Sequence, residues 1–91
     1  MAPVEWTPSA DRHGIDHEDI LWAISHATGS EELQPRIDRP GETVRVFVGR
    51  PYAGSRRFIE VIALIRPPRT IVVFHAMELS DLFRHLAVEG E

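Results

Sequence analysis

The chain contains no cysteine, which excludes both a disulfide framework and a zinc site built on thiolates. No apolar run reaches the ~18 residues that a membrane-spanning helix requires. The first residues, M-A-P-V-E-W, lack the basic and apolar regions of a secretory signal. These absences together predict a cytoplasmic protein that does not enter a membrane.

Lysine is also absent, so ten arginines carry the positive side-chain charge. The planar guanidinium group suits phosphate and carboxylate ligands, although an arginine-favouring codon usage would produce the same composition. The formal net charge of −4 argues against broad, non-specific binding to nucleic acids. Most arginines fall between residues 36 and 69 while both ends are acidic, which is compatible with a locally basic sheet on an acidic protein.

The size and composition are those of a small globular domain. With 91 residues, 43% of them hydrophobic and 26% charged, we expect one domain over residues 1–91. Its most apolar part, residues 57–77, predicts two strands joined by a tight turn. Both arms are apolar on both faces except at Glu60 and His75, as expected for strands in the middle of a sheet.

Weaker patterns predict further elements on either side of this hairpin. They are a short strand or an anchoring arm at residues 3–6, a helix at 8–13, a helix that starts after Asp16 and ends at Gly29-Ser30, a ragged edge strand at 33–37, a strand with one buried face at 43–48, and a helix after Ser80. The order predicts an α+β fold. We expect a small antiparallel sheet of three to four strands, with two N-terminal helices and one C-terminal helix.

The two ionisable side chains inside the hairpin are the first candidates for chemistry. Strand alternation places His75 on the same face as Val73 and Met77. It is either a core histidine bonded to a backbone carbonyl or to Glu60, or part of a pocket. Glu60 needs a partner if it is buried, and the candidates are His75 and, across neighbouring strands, Arg45.

Six short segments of the chain, taken in order, point to a known family. They are E-W-T-P (residues 5–8), R-H-G-I (12–15), H-E-D-I (17–20), V-R-V-F-V-G (44–49), I-E-V-I (59–62) and V-V-F-H-A-M (72–77). In these segments the chain resembles the BrnT-like toxins of bacterial toxin–antitoxin systems, whose compact fold is related to the RelE ribonucleases. Members of that family commonly have lysine where this chain has Arg12, and arginine where it has His75.

The resemblance implies RNA cleavage without a metal or a cofactor. Such a reaction needs a base for the ribose 2′-hydroxyl, a cation for the phosphate and an acid for the 5′-oxygen. The resulting candidates are His13, His75 and Glu60 as catalytic residues, and Arg12, Arg45 and Arg57 as substrate-binding residues. His13 also has a structural interpretation, as a cap of a helix C-terminus.

Two functional hypotheses remain open from the sequence. The first is a toxin that cleaves mRNA as an endoribonuclease and is neutralised by a cognate antitoxin; Arg56 and Arg57, with Tyr52 nearby, form a basic and aromatic pattern that can hold single-stranded RNA. The second is a non-catalytic module of the same fold that binds a protein partner or forms a homodimer. Trp6, Trp22 and the apolar terminal helix offer a contact surface for it.

Overall fold

The computed structural model describes residues 4–33 and 41–87. Its elements in chain order are β1 (Val4–Trp6), a first 3-10 helix (Pro8–Asp11), α1 (His17–Ser25), β2 (Gly29–Glu32), β3 (Thr43–Gly49), β4 (Ile59–Arg66), β5 (Thr70–Glu78) and a second 3-10 helix (Asp81–Leu86). The five strands form one sheet in the spatial order β1-β5-β4-β3-β2. The predicted α+β class is therefore confirmed.

The sheet is mixed, whereas a smaller and purely antiparallel one was expected. Strands β2 to β5 pair with one another in antiparallel fashion. Strand β1, however, runs parallel to β5, with Val4 paired to Ile71 and Trp6 paired to Val73. This pairing joins distant parts of the chain through only three residues, so it produces no periodic pattern in the sequence.

The central hairpin and β3 form where the sequence predicts strands. Strand β4 occupies the middle of the sheet and is largely buried on both faces, because β-branched and apolar residues fill nearly every position. Strand β3 buries Val46 and Val48 fully on one face, as predicted. Phe47 on the other face is half-buried and also packs against the core, a contact that the prediction did not include.

Two apolar clusters cover the two faces of the sheet. The first lies between α1 and the sheet, and its buried members are Ala10, Ile20, Ala23, Ile59, Val61, Ala63, Val73 and Ala76. The second lies under the second 3-10 helix, and its buried members are Val46, Val48, Phe58 and Phe83. Helix α1 approaches β3 closely because Gly49 has no side chain: a Cβ atom there would lie 2.6 Å from the carbonyl oxygen of Ala23.

The first two helices are shorter than predicted: the first is a 3-10 helix that ends at Asp11, and α1 ends at Ser25 instead of continuing to Gly29. The helix predicted after Ser80 is a 3-10 segment with a kink at Phe83. Thr28 donates its amide to the carbonyl of Val48 at 2.8 Å, so the chain is already pairing with β3 and Gly29 begins β2. Of the edge strand predicted at residues 33–37, Leu33 directly follows β2 and the rest lies outside the described residues.

None of the helices in the described part of the chain is long and apolar enough to cross a membrane.

Candidate active site

The carboxylate of Glu60 binds the ring of His75 on the face of the sheet opposite α1. Oε2 of Glu60 lies 2.9 Å from Nε2 of His75. Glu60 alternates with Ile59 and Val61, which both belong to the cluster under α1, so its side chain points to the other face. His75 is paired with Ile62, and the contact with Glu60 is therefore a diagonal one across β4 and β5.

A β-bulge at Phe74 determines which face His75 occupies. His75 is paired with Ile62 and Val73 with Ala63, which leaves Phe74 as an extra residue in β5. The bulge resets the alternation of side chains. Val73 is buried in the cluster under α1 while His75 lies on the opposite face, so the prediction that they share a face is wrong.

Hydrogen bonds satisfy both oxygens of Glu60, a residue that is only 3% exposed. Oε1 accepts bonds from the amide of Ser80 at 2.8 Å and from its hydroxyl at 2.7 Å. Burial alone raises the pKa of Glu60, but the bonds from Ser80 and His75 together outweigh it, so the pKa lies below its ordinary value. Glu60 is therefore an ionised carboxylate at neutral pH.

This carboxylate defines the chemistry available to His75. A neutral ring that donates its Nε2 proton to Glu60 keeps Nδ1 as a proton acceptor. The carboxylate also remains in contact with the ring after Nδ1 has taken up a proton, and it stabilises the resulting positive charge. A histidine held in this way can chemically serve as an oriented general base, and the His75 side chain is 29% exposed to solvent.

His13 approaches this pair from an early part of the chain. The rings of His13 and His75 lie edge to face, with their centroids 6.2 Å apart. The first 3-10 helix follows the outer edge of β5, where the hydroxyl of Ser9 donates to the carbonyl of Phe74 at 2.6 Å. The chain then reverses at Gly14, whose φ of +73° favours glycine. The fold thus brings the two candidate histidines together.

A cluster of three side chains closes the base of the loop that carries His13. Nε2 of His17 lies 2.7 Å from Oδ1 of Asp11, across the loop. The ring of His17 also stacks on Trp6, with 3.7 Å between centroids and 5° between the ring planes. Sequence reasoning missed this cluster because Asp11 and His17 lie on either side of a chain reversal, where neither the helical nor the strand period applies.

Ser80 was also missed as a member of the site. The sequence indicates it only as a helix cap, yet its hydroxyl makes no capping bond and binds Glu60 instead. The buried glutamate itself is the signal that could have found Ser80. A buried carboxylate requires hydrogen-bond donors, and Ser80 lies two residues after the end of β5.

An open cleft of about 590 Å³ lies beside His13, at the end of the sheet where β4 begins and β5 ends. Its apolar lining includes Ile15, Pro51, Ile59 and Met77, and its charged lining includes Asp16, Asp19, Arg57 and Glu78. His75 does not line this cleft. The cleft has more carboxylates than cations, so its own electrostatics do not favour a phosphate.

Two of the arginine candidates lie near His13. Arg57 lines the cleft, but its Nη1 donates to Oε2 of Glu78 at 3.1 Å, so a carboxylate already partners it. Arg12 directly precedes His13 and is exposed. No carboxylate of the described residues is bonded to Arg12, whereas Arg57 is engaged.

The third arginine candidate, Arg45, lies apart from the histidines. It belongs to β3 and is paired with Ala63, which faces α1, and its Nε donates to the hydroxyl of Ser30 at 3.3 Å. It is thus on the opposite face from Glu60, and the ion pair considered from the sequence is not formed. The structure therefore separates Arg45 from the candidate site.

In residues 4–33 and 41–87, no group of three or more histidine, aspartate or glutamate side chains is placed to hold a metal ion. No protein-family model, curated protein or solved structure matches the chain.

Proposed function

We propose that the chain is the toxin of a toxin–antitoxin pair and cleaves RNA without a metal ion, with His13 and His75 making the two proton transfers. One observation carries the proposal: the two rings approach to 6.2 Å, and one of them is bonded to a buried carboxylate. Histidine is suited to both transfers because its ordinary pKa lies near neutrality. The RelE-related fold and the antitoxin partner belong to the same proposal and are supported by the resemblance of the six segments.

In the proposed reaction His75 is the general base. Its Nδ1 takes the proton of the ribose 2′-hydroxyl, and the 2′-oxygen attacks the adjacent phosphorus. Glu60 stabilises the imidazolium because it keeps its bond to Nε2. The bond between phosphorus and the 5′-oxygen then breaks, and a protonated His13 gives its proton to that oxygen. The products are a 2′,3′-cyclic phosphate and a 5′-hydroxyl.

Arg12 completes the proposed site as the cation next to His13 in the chain. The attack on phosphorus places additional negative charge on the non-bridging oxygens. A guanidinium within reach of those oxygens lowers the energy of the transition state. The absence of any carboxylate bonded to Arg12 among the described residues supports this role.

The test is cleavage of a short single-stranded RNA by the purified chain in the presence of EDTA. We expect products with a 2′,3′-cyclic phosphate end, identified by mass spectrometry, and no cleavage of the same strand with 2′-O-methyl riboses. His13→Ala and His75→Ala should each lower the rate by roughly 10²–10⁴-fold, the range for general acid–base catalysis.

His85→Ala provides the matched control, because His85 also bonds a carboxylate, Glu31, at 2.9 Å, but on the β2 side of the sheet. It should cleave like the wild type. In cells, induced expression of the wild type should arrest growth, whereas either active-site variant at a matched protein level should not. Equal cleavage by all variants would contradict the assignment of the two histidines.

A second candidate is a non-catalytic module that binds a protein partner. It is favoured by exposed apolar side chains, among which Trp22 on α1 is 37% exposed and Leu82 in the second 3-10 helix is 73% exposed. Normal growth on expression of folded wild-type protein, together with intact RNA in the cleavage assay, would favour this function.

A further inference from the structure

The loop between β3 and β4 forms a second cavity, of about 440 Å³, with a basic lining. Arg50, Gly54, Ser55 and Arg56 line it, and no carboxylate of the described residues does. We propose that this cavity binds a phosphodiester group of single-stranded RNA. This proposal rests on the proposed nuclease function. It assigns the contact with the substrate backbone to the basic cavity and not to the acidic cleft beside His13.

The guanidinium groups of Arg50 and Arg56 give the cavity its positive charge. Cζ of Arg50 lies 4.7 Å from the ring centroid of Phe58, and this contact restricts its position before a ligand arrives. Neither Arg50 nor Arg56 forms an ion pair with a carboxylate of the described residues. Arg57, in contrast, forms an ion pair with Glu78. We therefore assign the phosphate contact to Arg50 and Arg56 instead of Arg57.

The backbone of the loop is held in shape by its own hydrogen bonds. Ser55 is 6% exposed, and its amide donates to the carbonyl of Tyr52 at 3.2 Å. The Ser55 hydroxyl accepts from the amide of Arg57 at 3.1 Å and donates to its carbonyl at 3.2 Å. Gly54 has a φ of +85°, a conformation that glycine adopts without strain. The cavity is therefore a preformed feature of the loop.

Tyr52 makes a nucleic-acid strand the best occupant. Its side chain belongs to the same loop and the residue is 49% exposed, so a base can stack on it. Bases of single-stranded RNA are free to stack in this way, unlike those of a duplex. Pro51 and Arg57 of the loop also line the cleft beside His13, so a strand held at the cavity can extend toward His13.

Binding is best tested with a fluorescein-labelled oligonucleotide of 2′-O-methyl uridine, which cannot be cleaved because it has no free 2′-hydroxyl. Fluorescence anisotropy with the full chain gives Kd at several salt concentrations. Arg50→Gln and Arg56→Gln should each weaken binding about tenfold at low salt and reduce the slope of log K against log salt by about 0.7, the value for one lost single-strand contact. Tyr52→Ala should weaken binding by about tenfold as well, and Tyr52→Phe should not.

Arg84→Gln is the matched control, because Arg84 is exposed and bound to Asp81 in the second 3-10 helix. It should leave Kd and the salt slope unchanged. Amide NMR spectra of each variant verify the fold, and Arg56→Glu provides a second variant at an exposed position. Wild-type binding by Arg50→Gln, Arg56→Gln and Arg56→Glu would overturn the proposed site.

Other outcomes separate this site from the nuclease proposal. If inorganic phosphate shifts the amide signals of Gly54 and Ser55 while the oligonucleotide does not, the cavity is a free-phosphate site and the RNA assignment is overturned. If cleavage depends on His13 but binding is unaffected by both arginine variants, the cavity assignment fails and the nuclease stands. Arginine-dependent binding without cleavage supports the cavity and refutes the nuclease.

Discussion

His75 and Glu60 form a pair in which a buried carboxylate binds a partly open histidine: their side chains are 29% and 4% exposed, and 2.9 Å separates the nitrogen from the oxygen. A buried charge is stable only where hydrogen bonds replace the water it has lost. Ser80 supplies two of the three bonds to this carboxylate. The same hydrogen bonds therefore stabilise the sheet and hold His75, the proposed general base, in its orientation.

Glu60→Gln should destabilise the protein while keeping the shape of the side chain. The amide can accept bonds through only one oxygen, so at least one of the three native bonds is lost. We expect the free energy of unfolding at neutral pH to fall by about 1–3 kcal/mol, measured by urea denaturation. Glu78→Gln, which breaks an exposed pair with Arg57, should change it little. Equal losses of unfolding free energy in the two variants would show that the buried bonds of Glu60 stabilise the fold no more than the exposed pair does.

The lowered pKa of Glu60 predicts a loss of stability in acid. The unfolded chain has the ordinary glutamate pKa, about 4.3, so the contribution of Glu60 is complete above that pH and is lost as the pH falls through the lower pKa of the folded state. The difference in unfolding free energy between the wild type and Glu60→Gln should therefore shrink in acid. A difference that increases on acidification would contradict the sign of the shift.

Ser80→Ala tests whether the serine hydroxyl holds Glu60 in place. The hydroxyl bond is lost and the amide bond remains, so we expect a loss of about 1 kcal/mol in the free energy of unfolding. The pKa of Glu60 should rise, because one of the bonds that lowers it has gone. NMR titration of the carboxyl carbon measures that pKa, and Ser80→Thr, which keeps a hydroxyl, should resemble the wild type.

Gly49→Ala should disturb the packing of α1 on the sheet. The added Cβ would lie 2.6 Å from the carbonyl oxygen of Ala23, so the helix must move away. Overpacking of this kind costs about 1–3 kcal/mol, and thermal or urea unfolding will measure it. Amide NMR signals of α1 should shift along with the loss of stability. Unchanged helix signals would mean that the close approach of α1 and β3 is not maintained in solution.

Gly14→Ala should destabilise the loop that carries His13 through backbone strain and not through overpacking. No atom lies within 4 Å of the added Cβ, so the only penalty is the positive φ, roughly 1–2 kcal/mol. Gly14→Asn should cost less because asparagine tolerates this conformation. NMR shift changes should be confined to the loop, and RNA cleavage should fall with the displacement of His13. Shifts that spread into the sheet would refute a purely local effect.

The strands with strong patterns could be predicted from the sequence. Strands β4 and β5 form an apolar, β-branched hairpin, and Thr43–Gly49 alternates clearly enough to be identified. Strand β2 has no such pattern, because Gly29–Glu32 is a polar edge strand of glycine, serine and glutamates. Its existence depends on pairing with β3, a tertiary interaction that local propensity does not contain.

The candidate site could be predicted in its residue types but not in its geometry. Glu60 and His75 were identified because they interrupt apolar strands, and they are indeed bonded to each other. The bulge at Phe74 changes the faces of β5, and a single extra residue leaves no mark in the alternation. Arg45 was misplaced for a related reason, since strand register, and not sequence distance, decides which side chains meet.

The two candidate histidines come from early and late parts of the chain, and β1 completes its pairing only with β5. During translation the ribosome must therefore synthesise and release β5 before His75 can meet His13. We expect a nascent chain that ends before Thr70 to be inactive, whatever its remaining structure. For the function proposed above, this order of synthesis would delay activity until nearly the whole domain has emerged.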